Sequence, residues 1–213
     1  MPQWKDSHFR LFLSHISAHK EFAAILQAAL VRWKIDAFVA HNDIQPTAQW
    51  VQEIEGALAT MDALAAILSP GFDDSNWTDH EIGWALGRGL LVLPLRHGLD
   101  PYGLFGKYQA YTIVGKQPDG VAMDIVSLLI NHPLTSSRMA STMVFVLENS
   151  GSYADAKLNM NKVEEIPHLK LSPDLLARIE NAINTNGQVK DAFGVPERIT
   201  SFVAQVKATC MRG

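Results

Sequence analysis

The sequence predicts an α/β domain built on a parallel sheet, followed by a mainly helical C-terminal segment. Up to about residue 131, short apolar runs alternate with longer stretches whose apolar residues recur every three or four positions. The apolar runs are nearly continuous, which is typical of strands buried on both faces of a parallel sheet. After His132 this alternation stops, and helical spacing with helix start signals takes over.

The predicted elements alternate along the chain: every predicted strand except the fourth is followed by a predicted helix, and the fourth is followed by the fifth strand. The predicted strands are Phe9–His15, Ile35–Ala40, Asp62–Ser69, Leu90–Leu95 and Lys107–Ile113. The predicted helices are Ala18–Trp33, Thr47–Met61, Trp77–Gly89 and Gly120–Asn131. The glycine that ends the third of these helices suits a left-handed cap. Five such units indicate a doubly wound, five-stranded parallel sheet of the flavodoxin-like class.

We predict a first domain over residues 1–132 and a mainly helical extension over residues 133–213. Ser172 followed by Pro173 indicates the start of a helix, because serine caps helix N-termini and proline suits the first helical position. Pro196 indicates the start of another helix near the C-terminus in the same way. The apolar run Met143–Leu147 fits a helix or a strand.

Composition disfavours several classes of protein. The formal net charge is −4 and the chain has no Lys/Arg run, which disfavours an electrostatic nucleic-acid interface. The single cysteine, Cys210, cannot form an internal disulfide and fits a reducing cytoplasm. The N-terminus has no apolar leader segment, and no apolar run is long enough to span a membrane. We expect a cytoplasmic protein that binds neither nucleic acid nor membranes.

Polar residues follow the predicted strands at the carboxyl edge of the sheet, where doubly wound folds bind ligands. The edge positions are Ser14 and His15 after the first strand, His41 after the second, Ser69 after the third, and Arg96 and His97 after the fourth. His15 and His19 have the spacing of a metal-ligand pair, but no third ligand follows at a fixed spacing, so we expect no metal site.

The helix after the third strand has an unusual second stripe. Its members, at i, i+4, i+7 and i+11, are Trp77, Glu81, Trp84 and Arg88. A solvated helix face favours lysine and glutamate over tryptophan. From spacing alone, the simpler interpretation is a partly buried structural helix in which Glu81 pairs with Arg88 or with the backbone. The alternative is a catalytic carboxylate beside aromatic walls.

Four stretches in order resemble a TIR (Toll/interleukin-1 receptor) domain of the bacterial kind. They are FLSHISAHKEFA, IDAFVAHNDIQPTAQWVQEIEGAL, ALAAILSPGFDDSNWTDHEI with its W-x-x-x-E, and LLVLPLRHG. The resemblance covers about residues 9–115. It implies the TIR version of the flavodoxin-like fold.

Many TIR domains of this kind cleave NAD⁺, so the resemblance also implies an active site. It implies that Glu81 is the catalytic residue. It implies that the bound nucleotide lies near Ser14, His15, His41, Trp50, Trp77 and Arg96. The segment from His41 to Trp50 corresponds to the BB loop, which moves and pairs with a neighbouring subunit in the family. Some bacterial members have an aromatic residue where this chain has Arg96 and His97.

The resulting hypothesis is an NAD⁺ glycohydrolase or ADP-ribosyl cyclase of bacterial anti-phage immunity. NAD⁺ would be the substrate, and no cofactor is expected. The resemblance to stand-alone TIR proteins of Thoeris-type systems implies self-association and a separate effector that reads the product. The alternative is a non-catalytic TIR adaptor that acts through TIR–TIR contacts. A third possibility is an enzyme like nucleoside 2-deoxyribosyltransferases, which would act on free nucleosides.

Overall fold

One parallel sheet organises the N-terminal part of the molecule. The structure, a computed structural model, describes residues 4–39 and 48–210. The sheet has five strands in the order β2-β1-β3-β4-β5. The strands are β1 (Phe9–Ser14), β2 (Ile35–Val39), β3 (Ala63–Leu68), β4 (Leu91–Arg96) and β5 (Tyr111–Thr112). This is the flavodoxin-like order, which confirms the predicted class and puts the topological switch point between β1 and β3.

The described helices fall into two groups along the chain. Those interleaved with or following the strands are α1 (Lys20–Val31), α2 (Ala48–Thr60), α3 (Asn76–Gly87) and α4 (Pro118–Asn131). The rest are α5 (Ser136–Glu148), α6 (Tyr153–Glu164), α7 (Pro173–Thr185), α8 (Gly187–Lys190) and α9 (Val195–Cys210). The chain forms two compact units, Met1–Asp124 and Ile125–Gly213, and the division falls within α4.

Helices α2 and α3 cover one face of the sheet. Buried side chains from the strands pack there against buried side chains of both helices: Phe12, Leu64, Ala66 and Leu68 meet Ile54, Leu58, Ile82 and Ala85. Successive side chains of a strand point to opposite faces, so Ser14 lies on the same face as Phe12. Arg96 is paired with Leu68 in the β3–β4 ladder and therefore also lies on this face.

The fifth strand is shorter than the sequence predicts. Only Tyr111 and Thr112 join the ladder, opposite Leu95 and Arg96. The predicted strand Lys107–Ile113 is therefore too long at both ends. On its N-terminal side the backbone N–H of Tyr108 donates to the carbonyl oxygen of Phe105 at 2.9 Å, and on its C-terminal side that of Lys116 donates to Ile113 at 3.0 Å, so turns limit the strand at both ends.

The C-terminal unit is helical, as predicted. Ser172 caps α7, since the backbone N–H of Leu175 donates to its Oγ at 3.2 Å, and Pro173 is the first residue of that helix. The ambiguous run Met143–Leu147 lies within α5. Helix α6 has no clear apolar stripe because it buries two polar residues, Asn159 and Lys162.

Across the parts of the chain that the structure describes, no helix combines the length and apolar character that crossing a bilayer requires.

The end of α3 offers a matched pair of glycine substitutions. Gly89 has a φ of 67°, whereas Gly87 is helical, and a Cβ at either position meets nothing within 4 Å. We expect Gly89→Ala to lower the free energy of unfolding by about 1 kcal/mol, because a side chain disfavours left-handed backbone. We expect Gly87→Ala to raise it by up to about 1 kcal/mol. Urea denaturation measures both, and equal effects would contradict the backbone explanation.

Candidate active site

Glu81 is a buried carboxyl group in the middle of α3. Its side chain is 4% exposed, and Ser14, at the end of β1, is 1% exposed. The hydroxyl Oγ of Ser14 donates a hydrogen bond to Oε2 of Glu81 at 2.5 Å. The contact forms because strand alternation directs Ser14 toward the face that α3 covers. It lies beside the switch point of the sheet, since β1 and β3 are neighbours there.

The environment of Glu81 shifts its acidity into the neutral range. Burial raises the pKa of Glu81 to about 7, and the hydrogen bond from Ser14 acts in the opposite direction by favouring the charged form. The carboxyl group can therefore hold or release a proton near neutral pH. Such a perturbed carboxyl beside a cavity is a frequent property of functional sites.

A cavity of about 500 Å³ lies between α2 and α3, and Glu81 lines it. Two tryptophans of α3 also line it: Trp77 is 39% exposed and Trp84 is 42% exposed. Helix α2 contributes Val51, Ile54 and Glu55. The cavity therefore combines apolar walls and aromatic rings with a few carboxyl groups, as small-molecule sites commonly do.

Arg88 does not pair with Glu81, so the structural pairing that spacing alone favoured is wrong. The Nη1 atom of Arg88 donates to the carbonyl oxygen of Leu58 at 2.6 Å. The guanidinium thus stabilises the C-terminal turn of α2, where carbonyl groups lack helical partners. Glu81 instead has Ser14 as its hydrogen-bond partner.

Two other predicted site residues lie at the carboxyl ends of strands: His15 directly follows β1, and Arg96 is the last residue of β4. His15 is 3% exposed, and its Nδ1 lies 3.3 Å from the carbonyl oxygen of Leu13. Arg96 lies on the face of the sheet that α3 covers and forms a salt bridge with Asp100. The Nε atom of Arg96 is buried and has no hydrogen-bond partner within the described residues.

Two predicted positions cannot be placed at the site. His41 lies outside the described residues, as does the side chain of Trp50, whose backbone belongs to α2. Within residues 4–39 and 48–210, no group of three or more His, Cys, Asp or Glu side chains could hold a metal ion.

The sequence did not single out Glu55 as a cavity residue. Val51, Ile54, Glu55 and Leu58 occupy positions i, i+3, i+4 and i+7 of α2, and all four line the cavity. The apolar stripe that predicts the helix therefore also gives the face on which Glu55 lies. A carboxylate within an apolar stripe is the signal that could have identified this residue.

The sheet order, the buried carboxyl beside the switch point and the adjoining cavity define a doubly wound α/β domain with a candidate active site at its carboxyl edge. Residues 11–124 match the family described as the TIR domain. The chain belongs to the TIR domain family. No curated protein matches it. TIR domains include NAD-cleaving enzymes as well as non-catalytic adaptors.

The raised pKa of Glu81 predicts a pH-dependent difference in stability between the protein and its Glu81→Gln variant. The folded-state pKa of about 7 exceeds the ordinary value of 4.5. The carboxyl group of Glu81 therefore makes its full contribution to the free energy of unfolding below pH 4.5, and this contribution is lost as the pH rises through 7. Glutamine has no charge to bury and can still accept from Ser14. At pH 8 we expect Glu81→Gln to be more stable by up to about 3 kcal/mol. At pH 4 the two should be equal.

Thermal or urea unfolding across pH 4 to 8 measures this difference. Glu53→Gln is the matched control, because Glu53 is an exposed glutamate on the neighbouring helix α2. A stability difference for Glu81→Gln that did not change with pH would contradict the buried-carboxyl interpretation.

Proposed function

We propose that this chain cleaves the bond between nicotinamide and ribose in NAD⁺. The observation that carries the proposal is the buried Glu81 carboxyl, which is held by Ser14 and lines a cavity with two tryptophans. Membership of the TIR domain family supports it, because that family includes NAD-cleaving enzymes.

The chemistry of the proposed reaction suits a site with one well-placed carboxylate. Nicotinamide in NAD⁺ is a cationic leaving group and departs as a neutral molecule, so no strong general acid is required. The transition state resembles an oxocarbenium ion, as in other glycoside cleavages. The Glu81 carboxylate would stabilise the positive charge that develops on the ribose.

Burial makes this stabilisation more effective. A charge in a site shielded from water interacts more strongly with its neighbours than the same charge in bulk solvent. Ser14 fixes one oxygen of the Glu81 carboxylate and favours its charged form. Because this hydrogen bond holds the carboxylate in place, Glu81 itself would need little reorganisation during the reaction.

The fate of the ribosyl carbon determines the product. Attack by water gives ADP-ribose, whereas attack by an oxygen or nitrogen atom of the ADP-ribose itself gives a cyclic isomer. In both reactions NAD⁺ is the substrate, and the chemistry requires no additional cofactor.

Trp77, one turn before Glu81, is in a position to form an aromatic wall of the site.

We place this activity in bacterial anti-phage immunity, in the cytoplasm, on the basis of the resemblance to stand-alone TIR proteins of Thoeris-type systems. TIR domains generally self-associate. The proposed active form is therefore an assembly. A separate effector would read a cyclic product.

Incubation of concentrated protein with NAD⁺ tests the activity. We expect the wild-type chain to release nicotinamide, and we expect Glu81→Gln to reduce the rate by at least about 100-fold, because it removes the charge that stabilises the transition state. Glu53→Gln should retain the wild-type rate. Chromatography with mass spectrometry separates ADP-ribose from cyclic isomers. Release of nicotinamide at equal rates by wild type and Glu81→Gln would contradict the assignment of Glu81, and no release at all would favour the adaptor function.

The pH dependence of the rate tests the role of Ser14. If the charged form of Glu81 is active, kcat/KM should fall about tenfold for each pH unit below 7. In Ser14→Ala the midpoint should move to higher pH, because the hydrogen bond that lowers the pKa of Glu81 is absent. Equal midpoints in the two proteins would show that Ser14 does not act on Glu81 in the reaction.

A further inference from the structure

The cavity between α2 and α3 has a one-sided charge. Three of its lining residues are acidic, Glu55, Asp79 and Glu81, and one is a histidine, His80. Within the described part of the chain, no lysine or arginine lines it. The two indole rings of Trp77 and Trp84 add the negative faces of their π-systems. A ligand of matching charge is therefore cationic or has a cationic part.

The sequence next to α2 does not reverse this balance. Residues 40–47, which precede the helix, contain no lysine or arginine and include Asp43. His41 is the one residue of this stretch that can carry a positive charge. A diphosphate is therefore poorly suited to this cavity, and the negative part of a dinucleotide has to lie elsewhere.

The shape of α3 leaves room for a flat ring beside Glu81. Trp77 lies four residues before Glu81 and Trp84 lies three residues after it, so the two indoles are about 10 Å apart along the helix axis. Gly83 lies next to Trp84 and also lines the cavity, and a Cβ at Gly83 would meet nothing within 4 Å. The helix itself therefore does not fill the space beside Trp84.

We propose that Trp84 and Glu55 make this cavity selective for a planar cationic ring, which is the pyridinium of NAD⁺ if the proposed function holds. The ring stacks on the partly exposed indole of Trp84, which attracts a cation through its π-system. Glu55 faces the same cavity from α2 and attracts the positive charge. The neutral dihydropyridine ring of a reduced dinucleotide lacks both attractions, and so does free nicotinamide after cleavage.

A non-reactive ligand tests this selectivity separately from catalysis. 1-Methylnicotinamide has the cationic ring without a ribose bond to cleave, and nicotinamide is its neutral counterpart. Titration of each ligand would be followed by NMR of the indole N–H signals. We expect the signals of Trp77 and Trp84 to move, while Trp33, which is 1% exposed, serves as an internal control. The cationic ligand should bind at least about tenfold more tightly than nicotinamide.

Variants assign the selectivity to individual side chains. We expect Trp84→Leu to weaken binding of 1-methylnicotinamide about tenfold and Trp84→Phe to weaken it less, because phenylalanine keeps a smaller aromatic face. Glu55→Gln should weaken it about threefold, with a smaller effect at high salt. The matched control Glu53→Gln, on the same helix, should bind as the wild type does. Unfolding curves check that each variant folds.

The outcomes separate this inference from the proposed function. Equal affinity for the two ligands, or unchanged binding in both Trp84→Leu and Glu55→Gln, would overturn the inference even if the protein cleaves NAD⁺. The protein could instead bind the cationic ligand selectively through Trp84 and Glu55 and yet leave NAD⁺ intact. That result would support the planar-cation site and contradict the proposed NAD⁺ cleavage.

Discussion

A single hydrogen bond, from Oγ of Ser14 to Oε2 of Glu81, joins the end of the central strand β1 to the helix that follows β3. It requires several features at once: the parallel register of β1 and β3, the alternation that turns Ser14 toward α3, and the packing of α3 on the strands beneath it. A slip of one residue in β1 would direct Ser14 to the opposite face and leave a buried carboxyl group without this partner. The site therefore depends on the same register that forms the core.

Keeping the buried carboxyl group of Glu81 charged costs free energy, and this cost raises its pKa. Burial favours the neutral form of Glu81, while Ser14 favours the charged form, so the balance between the two falls near neutral pH. An apolar side chain at this position would serve the core better. Two tryptophans on the same helix, Trp77 and Trp84, also expose part of their apolar rings to water. Both features are understandable if the cavity between α2 and α3 receives a ligand, because binding would cover the indoles and would use the carboxylate.

Periodicity was sufficient to predict much of the fold, because buried strands and amphipathic helices leave local patterns. It predicted the carboxyl ends of the strands and therefore Ser14 as an edge residue. It could not predict the partner of Glu81, because Ser14 is distant in sequence, and the nearer Arg88 instead donates to the end of α2. The extent of β5 depends on its single neighbour β4, which no local pattern encodes. Helix α6 has a weak pattern since it buries Asn159 and Lys162, and Glu55 was missed because its carboxylate interrupts an apolar stripe.

The central claim is that Glu81 titrates near neutral pH under the control of Ser14, and ¹³C NMR of labelled glutamate side chains measures this directly. The carboxyl signal that is missing from Glu81→Gln identifies the residue, and its chemical shift against pH gives the pKa in wild type and in Ser14→Ala. We expect a midpoint at about 7 in the wild type and a higher midpoint in Ser14→Ala. A midpoint near the ordinary value of 4.5, or one that does not respond to the loss of the Ser14 hydroxyl, would contradict this role of Ser14 and Glu81.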